Sequence, residues 1–78
     1  MKYSNIKKQV SNIQDSISIL SNYEIENYLY SLSFDYDFIK ACSDKPSLDD
    51  MLLEAISEAH NGCNTVYDTL QSMIEILA

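Results

Sequence analysis

The sequence predicts an all-α fold, a small bundle of three to four helices in a single domain over residues 1–78. Three observations lead there. Apolar residues recur at spacings of three and four along most of the chain, the period of a helix face. Helix-start signatures of the Ser-x-x-acid type stand at Ser21–Glu24 and Ser47–Asp50. Only one stretch alternates with the period of a strand, and a lone strand has no neighbour to pair with.

The first element is the most regular. Tyr3, Ile6, Val10, Ile13, Ile17 and Leu20 are spaced 3, 4, 3, 4 and 3 apart, an a/d seam on a helix over 4–20 with Ser4 as its N-cap. Ser21 and Glu24 then form a capping box, each satisfying a free backbone N–H at the start of a helix over 22–40. Ile25, Tyr28, Leu29 and Leu32 lie on one face of that helix, and the short turn before it predicts that the first two helices are antiparallel neighbours. Residues 30–38 alternate strictly between apolar and polar, yet Leu32, Tyr36 and Ile39 also continue the helical face. A helix broken or part-extended near 33–37 is therefore expected.

Ser43-Asp44-Lys45-Pro46-Ser47 is the clear loop, because proline disfavours helix at the residue before it. From 48 to 77 the apolar residues keep helical phase through Leu52, Ala55 or Ile56, Ala59, Cys63, Val66, Leu70, Met73 and Leu77. His60-Asn61-Gly62 is a good helix stop inside that run. One glycine within a helix costs only about 1 kcal/mol, so a long helix over 48–77, kinked or split at Gly62, is predicted. The expected core is Ile6, Val10, Ile13, Ile17, Leu20, Leu29, Leu32, Leu52, Ile56, Ala59, Val66, Leu70 and Met73.

Charge narrows the class of partner. The formal net charge is −7, from twelve carboxylates against five lysines and no arginine, and all twelve acids fall in residues 15–78. Such a chain is repelled by phosphate backbones and lacks the bidentate reader of phosphate and guanine, which argues against direct nucleic-acid binding. The converse is attraction to a basic protein surface. No apolar run approaches the length of a membrane span or a secretory h-region, so a cytoplasmic protein with no membrane contact is expected. Two cysteines without a secretion signal are read as free, small core residues. Usage rich in Ser, Ile, Asn, Tyr and Asp hints at AT-rich coding DNA, as in phages and mobile elements.

The chemistry of catalysis is largely missing. A single glycine cannot build a phosphate-cradling loop, and no nucleophile elbow or HExxH is present. His60 and Cys63 offer two corners of a metal site, whereas structural zinc sites present two close-spaced pairs. No catalytic residue, metal or cofactor is assigned. What remains are two clusters. Asp50, Glu54 and Glu58 stack at i, i+4 and i+8, where like charges repel unless a cationic partner intervenes. Tyr23, Tyr28, Tyr30, Phe34, Tyr36 and Phe38 crowd one segment beside Asp35 and Asp37, too many aromatics for one helix face to bury. Tyrosine with carboxylates is a recipe for gripping a basic surface.

The expected contact residues are thus Asp35, Tyr36, Asp37, Asp50, Glu54 and Glu58. The function expected from them is that of an acidic helical protein-binding module. It would act as a stoichiometric inhibitor or adaptor of the immunity, antitoxin or phage anti-defence kind, covering a basic surface that otherwise meets nucleic acid. The alternative is a small helical chaperone or self-assembling subunit, for example of a secretion system, and homodimerisation is compatible with either.

Overall fold

The computed structural model of the chain describes residues 3–78, and these form helices and turns with no strand. Five helices run in order: α1 (Ser4–Ser16), α2 (Asn22–Ser33), α3 (Tyr36–Asp44), α4 (Ser47–His60) and α5 (Val66–Leu77). The count exceeds the three to four expected because both ambiguous segments break.

The first helix ends at Ser16 instead of Leu20, and residues 17–20 continue as turns, with Ile19 and Leu20 N–H groups both donating to the Ser16 carbonyl. The cause lies just downstream. Ser21 takes extended backbone, φ −72° and ψ 161°, to accept from the Glu24 N–H at 3.1 Å while Glu24 accepts from the Ser21 N–H at 3.0 Å. A helix cannot run into that cap, and Ser16-Ile17-Ser18-Ile19 has little propensity to resist. At the other end Tyr3, not Ser4, holds the N-cap position and makes no side-chain cap bond. Tyr3 instead donates its hydroxyl to Asp44 and lies 6.0 Å from the Lys45 ammonium, which ties the chain's start to the α3–α4 connection.

The predicted break near 33–37 falls at Phe34–Asp35. Asp35, extended at φ −71° and ψ 130°, caps α3 by accepting from the N–H groups of Asp37 at 2.8 Å and Phe38 at 3.3 Å. The alternating pattern is accordingly two helices meeting at a cap. α3 runs on to Asp44, through residues expected in the loop, and Pro46 occupies the N-cap position of α4. Ser47 is therefore already helical, and the Ser47–Asp50 box does not form.

Gly62 splits the last segment completely. Its φ is +70°, the Gly62 N–H donates to the Ala59 carbonyl at 3.2 Å and the Cys63 N–H to the Glu58 carbonyl at 2.8 Å. This paired 5→2 and 6→1 pattern is a Schellman stop. An unbroken helix over 48–77 would stretch about 45 Å, half as long again as the 30 Å maximum dimension of the molecule. Folding back lets the apolar faces of α4 and α5 cover each other.

α4 is the hub, packed on both α2 and α5, while α1 lies on the far side of α5 and α3 bridges α1, α2 and α4. α1 and α2 are therefore not the paired antiparallel neighbours the short turn suggested. Gln14 shows why α1 turns away. It is buried, with its amide donating to Gln71 Oε1 at 3.0 Å and to the Tyr67 carbonyl at 3.3 Å on α5. Ten of the expected core residues are buried, whereas Ile13, Ile17 and Leu20 are only half-buried beside the core. Ile25, Phe38, Ala41, Leu48, Ala55 and Leu77 complete it. Cys42 packs against the core, but Cys63, one residue past the Schellman glycine, is exposed rather than interior; both thiols are free.

Candidate functional site

The aromatic cluster is sorted by the α2–α3 corner. Phe38 points inward from the first turn of α3 and is fully buried. Tyr28 is half exposed beside the gap that α1 and α2 leave between them. Tyr23, Phe34 and Tyr36 are 73 %, 81 % and 74 % exposed, and Tyr30 is 47 % exposed. Large aromatics left this open in a small domain are the informative feature, since most surface apolar residues stand singly and need no account.

The six expected contact residues occupy different surroundings. Asp35 is half-buried and works as a cap; its second oxygen also accepts from Gln9 Nε2 at 3.4 Å. It lines a groove of about 480 Å³ floored by Ile13, Leu20 and Leu32. Asp37 is exposed, accepts from Asn5 Nδ2 at 2.8 Å, and lines a smaller hollow with Tyr3, Asn5 and Lys40. Tyr36 stands in solvent between them in sequence. Carboxylates thus anchor the α2–α3 corner to α1 while the aromatic rings beside them stay outside.

Asp50 and Glu54 are exposed on α4, and Glu58 is half-buried at the α4–α5 seam, where it accepts from Thr69 Oγ1 at 2.6 Å. Glu54 and Glu58 line a third groove together with Asp68, which the α4–α5 turn brings up from the start of α5. Asp68 was not among the expected residues. Only the antiparallel return of α5 places it there, and that return was the undecided point in the sequence. Of these three grooves, none draws residues from both the Asp35–Asp37 segment and the Asp50–Glu58 row. Among the described residues, no three His, Cys, Asp or Glu side chains converge as a metal site would require, and no helix is long and apolar enough to cross a membrane.

The titrations of Glu24 and Cys42 are shifted. The Glu24 carboxyl is held below its ordinary 4.5 by the hydrogen bonds it shares with Ser21, the backbone one foremost. The Cys42 thiol is pushed up by burial and, secondarily, by the Asp49 carboxylate, so it stays protonated and a poor nucleophile near neutral pH. His60 lies 3.1 Å from Glu26 across the α2–α4 contact.

Comparison with known proteins returns no matching family model, no matching curated protein and no matching solved structure.

Proposed function

We propose that this chain is an acidic helical protein-binding module, a non-catalytic stoichiometric inhibitor or adaptor that covers a basic surface of a target protein in the cytoplasm. The target surface is of the kind that otherwise meets nucleic acid. The observation that carries the reading is the α2–α3 corner, where Phe34 and Tyr36 stand more than 70 % exposed on either side of Asp35. Exposed aromatics beside anchored carboxylates give a partner contact area and a fixed negative field at little entropic cost. A net charge of −7 adds long-range steering toward a cationic surface.

The test is affinity capture from the native host, followed by binding kinetics on the identified partner. Tyr36→Ala should speed dissociation by an amount on the order of 2 kcal/mol, a hot-spot value. Asp50→Lys with Glu54→Lys should slow association and flatten its salt dependence. These two positions are preferred to Glu58, whose substitution would also remove the acceptor of Thr69. Asp35 is tested as Asn, which still caps α3 but carries no charge. A partner that is itself acidic, or wild-type kinetics in every folded variant, would refute the proposal. Growth of the chain's own mass with concentration, in the absence of any partner, would favour the self-assembling alternative.

A further inference from the structure

α2 is apolar on two opposite faces. Ile25, Leu29 and Leu32 are buried on the inner one, which packs on α4 and α3. On the outer one Tyr23, Asn27, Tyr30 and Phe34 follow at spacings of 4, 3 and 4, a second seam with the period of a helix-packing interface. All four are exposed. Exposed aromatics grouped in this way mark a contact surface, which gives α2 two faces to cover. Within this chain α2 is covered on one.

We propose that this outer seam of α2 docks an amphipathic, lysine- or arginine-bearing helix of the target protein. The inference rests on the reading of the chain as a binder of basic proteins and names the surface and the shape of what binds. Four carboxylates surround the seam in sequence, Glu24, Glu26, Asp35 and Asp37, and no lysine occurs between Lys8 and Lys40. Each is already held by a group of this chain: Ser21 N–H on Glu24, His60 on Glu26, Asp37 N–H on Asp35, and Asn5 on Asp37. Their negative charge falls in the same segment as the aromatic strip, the complement of a helix with an apolar stripe and basic residues beside it. Asn27 is the polar member of the seam, a position that sets register in paired helices.

A second copy of the chain is the poorer occupant. At about 150–250 Å² per aromatic side chain, the exposed parts of Tyr23, Tyr30 and Phe34 amount to about 400 Å² of surface. That surface serves either occupant alike, but self-pairing would bring two chains of net charge −7 together. A basic helix replaces that repulsion with attraction.

The experiment titrates the ¹⁵N-labelled chain with a synthetic Leu/Lys amphipathic helix of about four turns, and with a Ser/Lys peptide of equal length and charge. Backbone amide shifts should centre on residues 23, 27, 30 and 34 with the Leu/Lys peptide. Tyr30→Ser with Phe34→Ser, both outside the core, should weaken binding at least about ten-fold, and the Ser/Lys peptide should bind at least about ten-fold more weakly than its Leu/Lys counterpart. Shifts centred on the α1–α2 groove or the α4–α5 seam, or undiminished affinity in the double variant, would overturn the seam while leaving a basic partner in place. Absence of binding to either peptide at low salt would overturn both proposals. A concentration-dependent dimer that Phe34→Ser abolishes would make the occupant a second copy and refute the choice of a basic helix.

Discussion

At the scale of single residues, the Ser21–Glu24 pair gives the clearest pH signature. Because hydrogen bonding lowers the folded-state pKa of Glu24 below 4.5, the ionised carboxylate favours the folded chain. Its contribution is present above the unfolded value and is lost as the pH falls through the lower, folded one. Glu24→Gln keeps an acceptor for the Ser21 N–H but removes the titration. Thermal melts from about pH 6 to about pH 3 should therefore show a shallower acid-side loss in the variant than in the parent. Parallel curves would mean that the box contributes nothing that depends on charge. This cap was legible in the sequence because it is local: three residues decide it. The box at Ser47 was written in the same letters and fails because Pro46, in helical backbone at φ −58°, takes the cap position first. Cys63 resembled a core residue by phase alone, and phase stops having meaning once Gly62 has turned the chain.

At the scale of elements, what the sequence left open were the breaks. Residues 52–77 keep helical phase on both sides of a stop, so periodicity could not locate it; the left-handed glycine could, but its cost within a helix is too small to decide the matter. Gly62→Ala tests the stop. A left-handed backbone costs a non-glycine residue roughly 1–2 kcal/mol, and the added Cβ would meet Asn22 Nδ2 at 2.9 Å. Chemical denaturation should show a loss of at least about 1 kcal/mol, and Asn22→Ala in the same chain should recover only the part due to the clash. Full recovery would mean that the backbone conformation is not the constraint. The corner at Phe34–Asp35 was half legible. Asp35 is a good cap by residue type, but the alternation across 30–38 matched a strand equally well, and only the absence of a partner strand decided against it.

At the scale of the whole molecule, the radius of gyration is 11.3 Å, against about 11.5 Å for a compact chain of this length. One contiguous core draws on all five helices. Leu70 on α5 is fully buried, so Leu70→Ala should cost about 2–5 kcal/mol. A domain of this size rarely holds more than about 3–5 kcal/mol in all. Circular dichroism should find much of that variant unfolded at room temperature, and a parent-like melt would place Leu70 outside the core. The core residues of α1 were legible as a seam, whereas their partner was not. Sequence spacing says which face a helix buries, but Gln14, polar and in no apolar pattern, sets α1 on α5 instead of α2. The candidate contact residues suffered the same limit. Each was recognisable by type, while their distribution over three grooves depends on which helices pair.

The pairing of α1 with α5 also has a consequence in time. Gln14 and Gln71 are 57 positions apart, and ribosomes add about 5–20 residues per second. Ile6, Val10 and Gln14 are thus made roughly 3–11 s before the helix that covers them. For those seconds the nascent chain carries an apolar, mainly β-branched seam without its main native cover. The bundle can close only after α5 has left the ribosome. Until then, the growing chain exposes that seam to whatever holds nascent chains apart in the cell.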